Sequence, residues 1–245
     1  MRLNNMIILL PLLALGYLLL PGMVWAFPPE GGISLGQTRV VFLSTDKAQT
    51  LTVKNTGNRS YLIQSQALVA PGDTNAAPFL VTPPLFTLRP DSHQFLRILL
   101  VQKDKLPNDR ESVFYLSMLA IPAKEEKAAS AAQVSLGMRI VIKLFYRPTG
   151  LKEMGEISAC RLQFRSVPEG IRIENPTPYF QTLGQLMFNQ TPVNLNNQPS
   201  MLAPLSAQIY PAPRGNTVVE WKTITDYGGL STPCQQTVLF TQERS

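Results

Sequence analysis

Beyond residue 27, apolar and polar positions mostly alternate with a period of two, in short runs separated by turn residues. Gln49–Asn55 alternates around Leu51 and Val53, and residues 61–69 are rich in β-formers and stop at Pro71-Gly72. Phe114, Leu116 and Met118 interleave with Tyr115, Ser117 and Leu119. Residues 95–101 are nearly all apolar, which predicts a strand buried on both faces. Pro83-Pro84, Arg89-Pro90-Asp91 and Leu106-Pro107-Asn108-Asp109 punctuate these runs. Residues 124–132 break the pattern: charged and alanine-rich, they read as a mobile loop or a short helix.

A long strand is predicted over residues 133–146, ending at Pro148-Thr149-Gly150. Val134, Leu136, Met138, Ile140 and Ile142 share one face; Gln133, Ser135, Gly137, Arg139, Val141 and Lys143 share the other. Its span is about 45 Å at roughly 3.3 Å per residue, more than the usual strand of about five or six residues. The pattern is that of a core-facing strand, and the extra length suits one that projects past its own domain and offers its apolar face to a partner. The second half repeats the strand-and-turn habit at 161–164, 171–174, 179–186, 207–210 and Thr217–Thr223. This predicts an all-β chain of two sandwiches in series, 27–147 and 153–245, joined by a linker at 148–152.

The N-terminus has a different character. Arg2 precedes an apolar run over residues 6–20, Pro21-Gly22 breaks it, and Val24-Trp25-Ala26 offers small residues where a signal peptidase needs them. The run of about 15 residues is short for a membrane span of about 20. Residues 1–26 are therefore read as an export signal, with the mature chain starting near Phe27 and working outside the cytoplasm.

Composition then narrows the chemistry. The 245 residues are 44% hydrophobic and 16% charged, enough apolar material for real cores. The net charge of +6 is scattered, without the Lys/Arg and aromatic cluster of a nucleic-acid groove. His93 is the single histidine, read as an exposed loop residue beside a turn, so neither a Cys/His metal site nor a histidine-based triad can be assembled. No nucleophile elbow or phosphate-binding glycine loop occurs. Cys160 and Cys234 are the only cysteines, and export makes a disulfide between them the expectation.

Several segments together resemble one family. Lys143-Leu144-Phe145-Tyr146-Arg147-Pro148 is similar to the signature that closes the first domain of PapD-like periplasmic pilus chaperones. Ser34-Leu35 with Thr38-Arg39-Val40-Val41-Phe42 resembles that family's first strand, and Asp109-Arg110-Glu111-Ser112-Val113-Phe114-Tyr115 its sixth. Glu174-Asn175-Pro176-Thr177-Pro178-Tyr179-Phe180 and Asp226-Tyr227-Gly228-Gly229 resemble two motifs of the second domain. They occur in the family's order over nearly the whole mature chain. Thr82-Pro83-Pro84 also resembles a family turn that can hold a cis bond.

The resemblance implies two immunoglobulin-like sandwiches in an L-shaped (boomerang) arrangement. It implies a periplasmic binding protein, not an enzyme, without cofactor, metal, nucleic acid or small-molecule substrate. Such a protein completes pilus or fimbrial subunits by donor-strand complementation and delivers them to an outer-membrane usher. Val134, Leu136, Met138 and Ile140 would enter the subunit's groove, and Arg39 and Lys143 would grip its C-terminal carboxylate. Glu111, Arg147 and Asp226 would form a structural network between the domains, and Cys160–Cys234 would staple the second domain's first strand to a late one. Residues 122–133 are modest in length and not flanked by cysteines, which resembles the short-loop branch that serves rod-like pili. Self-association of the free form stays open. Two competing readings are a structural fibre subunit, which is usually a single sandwich, and an extracytoplasmic enzyme, which lacks a visible catalytic set.

Overall fold

The computed structural model describes residues 31–104, 106–123, 136–151, 156–212 and 215–239. The first sandwich holds β1 (Ile33–Leu35), β2 (Arg39–Leu43), β3 (Gln49–Asn55), β4 (Tyr61–Leu68), β5 (Phe79–Thr82), β6 (Leu85–Leu88), β7 (Ser92–Leu100), β8 (Ser112–Pro122) and β9 (Met138–Arg147). One sheet runs β1-β3-β7-β5 and the facing sheet β2-β9-β8-β4-β6. Leu51, Val53, Leu96 and Ile98 from the first sheet meet Phe42, Ile63, Leu116 and Leu144 from the second, all at most 1% exposed. Phe79 packs edge-on against Phe42 and Phe114, with ring centroids 5.3 and 5.4 Å away.

The second sandwich holds β10 (Gln163–Val167), β11 (Gly170–Asn175), β12 (Gln181–Phe188), β13 (Thr191–Pro192), β14 (Met201–Leu202), β15 (Ser206–Tyr210), β16 (Thr217–Thr223) and β17 (Cys234–Val238). Its sheets run β10-β11-β15 and β13-β12-β16-β17, with β14 pairing β12. Phe164 and Trp221 stack across them at 4.4 Å, and the indole N–H donates to the Ala159 carbonyl at 2.9 Å.

Both sandwiches fasten one corner with the same device. Asn55 ends β3 and Asn175 ends β11, each at most 1% exposed. Asn55 Nδ2 donates to the carbonyls of Arg59 and Arg89 at 2.7 and 2.8 Å, and Asn175 Nδ2 to those of Tyr179 and Ala203 at 2.7 and 2.9 Å. The amide oxygens accept from the N–H two residues on, Gly57 and Thr177. A side chain thus replaces the backbone partners a strand end loses.

The prediction of a strand buried on both faces at 95–101 fails. Phe95 is 56% and Val101 57% exposed, because β7 lies in an antiparallel sheet with one solvated face. His93 is exposed, but it lies on β7 and not in a loop. A strand was also expected at 161–164; instead a 3-10 helix, Glu156–Arg161, precedes β10. Cys160 sits in that helix and is disulfide-bonded to Cys234 at the start of β17, so the staple ties a helical turn to a strand rather than strand to strand. The Thr82–Pro83 bond is cis. Residues 124–132, read as a loop or short helix, lie outside the described residues.

Replacing Asn175 with Ala removes its hydrogen bonds to the Tyr179, Leu202 and Ala203 carbonyls at a buried corner. The expected cost is about 1–3 kcal/mol, read from urea unfolding followed by Trp221 fluorescence. An unchanged midpoint would contradict the corner's role.

Candidate binding site

The site is built by a strand that changes sheets. β1 pairs with β3, but after Gly36 the chain crosses and β2 joins the opposite sheet beside β9. β2 begins only at Arg39, whose register partner is Lys143, and runs parallel to β9 as far as Leu43 opposite Arg147. On its other side β9 pairs with β8 from Met138 to Tyr146. Residues 138–142 of β9 therefore have a neighbour on one edge and, among the described residues, none on the other. Bare N–H and C=O groups on such an edge are a template for another strand.

The sequence predicted a longer strand. The described ladder starts at Met138 opposite Ala120, and Leu136 and Gly137 precede it outside any strand. β8 ends at Pro122, which has no N–H to extend the pairing. Leu136 is 81% and Met138 45% exposed, whereas Ile140 is half-buried and packs against the first sandwich's own core. Val134 lies outside the described residues.

Arg39 and Lys143 close the open edge. Register partners in a parallel pair point to the same face, so the two cations stand side by side. Arg39 is only 9% exposed; one guanidinium N–H donates to the Ile224 carbonyl at 3.2 Å, the plane sits 5.5 Å over Phe145, and among the described residues Nε has no hydrogen-bond partner. Burial lowers the Lys143 pKa and the Arg39 charge lowers it further. Burial also lowers that of Arg39, against the opposing pull of Asp226 and Glu111. Two partly desolvated cations with a free donor form a receptor for an anion, and the guanidinium fork suits a carboxylate.

The second sandwich supplies the opposite wall. A cavity of about 500 Å³ is lined by Gln37, Arg39, Arg147, Thr223, Asp226 and Tyr227, among others. Arg147, at the end of β9, binds both sides of the junction: it donates to Glu111 Oε1 at 2.8 and 3.2 Å and to both oxygens of Asp226 at 2.9 and 3.1 Å. Glu111 Oε2 accepts from the Phe180 N–H at 2.9 Å, and the Glu111 N–H donates to the Pro178 carbonyl at 2.9 Å. Burial pushes the Glu111 carboxyl up, while the Arg147 charge and the Phe180 N–H pull it back. Burial also acts against the Arg147 charge, but its bonds to Asp226 and the Glu111 charge outweigh this and hold it more firmly protonated. All three residues predicted to link the domains are thus in one hydrogen-bonded cluster.

Other junction residues went unpredicted. Phe145 packs on Phe180 with centroids 5.9 Å apart, and Arg147 lies 5.1 Å over Tyr179. Gly228 has φ of 85°, and a Cβ there would run into Thr38 Oγ1. The Gly228-Gly229 pair was the available signal that this turn is pressed against something.

The chain is similar in sequence and fold to known proteins. Residues 32–152 match the model of the pili and flagellar-assembly chaperone PapD N-terminal domain, and residues 158–235 that of the pili assembly chaperone PapD C-terminal domain. The chain belongs to the PapD family of pilus-assembly chaperones. Chaperone protein FimC of Escherichia coli O6:H1 is 36% identical over 219 residues, covering 88% of each chain. The structure is similar to that of the E. coli chaperone DraB, with TM-score 0.74, 33% identity, and coverage of 84% of this chain and 98% of that one. It is also similar to a Salmonella enterica structure of SafA pilin in complex with the SafB chaperone, with TM-score 0.75, 30% identity, and coverage of 86% and 98%.

Arg147→Met leaves a buried carboxylate without its partner. Such a break costs about 3–5 kcal/mol, so urea unfolding should show a loss of that size, and Asp226→Asn, at a more exposed carboxylate, a smaller one. Equal small losses from both would contradict the network's organisation around Glu111.

Proposed function

We propose that this protein is exported to the periplasm, losing residues 1–26, and there captures pilus subunits by strand addition at the open edge of β9. In this reading the two functional domains are 27–147 and 153–245, with 148–152 between them. The protein works by binding alone and hands each subunit to an outer-membrane usher. Kinship with SafB, seen in complex with a pilin, supports the client class.

One observation carries the reading: the unpaired edge at residues 138–142 ends at Arg39, a buried guanidinium with an unpartnered Nε, beside Lys143. A strand lying on that edge and ending at those cations would place a terminal carboxylate against them and form a backbone ladder along β9. The ladder is largely indifferent to client sequence, which suits a carrier of several related subunits. Leu136 and Met138, exposed in the free protein, would fill the client's apolar groove together with Val134 and Ile140. Each such burial contributes about 1.5–3 kcal/mol before ordering costs. The terminal grip would set the register, since a one-residue slip turns the apolar face away.

Arg39→Ala and Lys143→Ala are each expected to abolish co-purification of a co-expressed pilus subunit while the variant stays folded by circular dichroism. Met138→Glu should do the same by placing a charge in an apolar pocket. Capture at wild-type yield by a folded Arg39 or Lys143 variant would overturn the anchor.

The lowered Lys143 pKa fixes the sign of two pH effects. The free protein binds fewer protons at this group than the unfolded chain does, so its stability rises with pH between the folded value and the ordinary 10.5. Client capture needs the ammonium and should fall in the same direction. The wild type's extra loss of affinity over Lys143→Arg, measured in pH-stepped binding, should begin below 10.5. Parallel profiles for the two proteins would contradict this.

A further inference from the structure

Tyr227 serves neither sandwich's core nor the ion cluster at their junction, and it is 99% exposed. It nevertheless stands on a rigid mount. Asp226 before it accepts from Arg147 at 2.9 and 3.1 Å. Gly228 after it is pressed against Thr38, where a Cβ would run into the threonine Oγ1. Two backbone bonds close the turn: the Gly228 N–H donates to the Thr225 carbonyl at 2.9 Å, and the Thr225 N–H to the Gly229 carbonyl at 2.8 Å. A bare aromatic ring on a turn pinned at both flanks loses little freedom when a partner packs on it.

The fold sets this ring at the end of the open edge. β2 lies beside β9, runs parallel to it and begins at Arg39 opposite Lys143. A strand seated on residues 138–142 fills the same lane ahead of β2, so its end meets Thr38 and Arg39. Thr38 is the residue on which the Tyr227 turn presses. Tyr227 also shares the lining of the junction cavity with Gln37 and Arg39. Both observations put the ring beside the place where a client chain stops, whichever client residue lies level with a given residue of β9. Successive side chains of a strand point to opposite faces, so of the last two client side chains one faces the second sandwich and the other turns away.

We propose that Tyr227 is a specificity-determining contact supplied by the second sandwich: its ring packs on the end of the client strand and favours a large apolar side chain at whichever of the last two positions faces it. This rests on the carboxylate-anchor reading above and adds side-chain selection to a ladder that otherwise accepts any strand. The cations hold the client's terminal charge, and the ring covers the apolar surface next to it.

The test is fluorescence anisotropy with the mature protein and labelled Val/Thr peptides of about ten residues, long enough to span the edge. The peptides end in a free carboxylate or an amide and carry Leu or Ala at the last or the next-to-last position. At one of these positions Leu should bind about fourfold to fifteenfold more tightly than Ala, which is what one or two buried methylene groups supply. That gain should persist in Tyr227→Phe, which keeps the ring, and shrink to within about twofold of none in Tyr227→Ala. The gain at the other position should be the same in all three proteins. A folding defect weakens all peptides alike, so the dependence on position separates the contact from a loss of structure. A Leu gain indifferent to Tyr227 at both positions, or one lost in Tyr227→Phe as well, overturns the inference. If free-acid peptides outbind amides but the Leu gain ignores Tyr227, only the Tyr227 inference falls. If acid and amide bind alike, or neither binds, the anchor reading falls and takes the inference with it.

Discussion

A sheet edge left open beside one buried and one half-buried cation is the constraint on which the rest of the structure depends. The opening exists because the first strand divides itself between sheets: β1 closes one sheet, and β2 joins the other too late to cover all of β9. An open edge is a hazard for any soluble protein, since it accepts strands indiscriminately. Here it ends at Arg39 and Lys143, so in the proposed reading the chain that gains most from it is one with a free carboxylate at the matching place. The same geometry that creates the hazard limits what can exploit it.

Holding two cations side by side in a half-buried cleft is unfavourable without an anion, and the junction of the sandwiches contains that cost. Arg39 is clamped by the Ile224 carbonyl and the Phe145 ring, while Asp226 and Glu111 offset part of its desolvation. Those carboxylates are themselves committed to Arg147. The cleft is therefore preorganised by groups that cannot relax toward the cations and neutralise them. A buried ion pair adds little net stability compared with apolar packing, but it specifies geometry. Placing the Arg147 cluster at the end of β9 makes the junction part of the same strand that offers its edge.

Much of the fold was legible because its signal is local. The bounds of β3 and β16 coincide with runs of clean alternation, where each face of the strand meets a different environment. Residues 95–101 misled because local hydrophobicity does not reveal whether the second face is covered; Phe95 faces solvent and Leu96 the core. β5, β6, β13 and β14 are too short to show a period, and β17 reads as polar because Gln235 and Gln236 stand among its few residues. Of the site, pattern showed only the long strand with an apolar face to offer, and not the cations at its end. Arg39 and Lys143 are distant in sequence and ordinary in context, and only the parallel pairing of β2 with β9 makes them neighbours. Their resemblance to family motifs drew attention to them, whereas the contacts that Ile224 and Phe145 make with Arg39 enter through the fold alone.

Hydrogen–deuterium exchange of the free protein and of its complex with a co-expressed pilus subunit would test the central claim most directly. The account predicts that the alternate amides of residues 138–142 that point away from β8 exchange readily in the free protein and become strongly protected in the complex, with added protection at the start of β2. Protection that appears instead along the outer edge of β5 or β6, with residues 138–142 unchanged, would show that the client is held elsewhere and that the open edge of β9 is not its site.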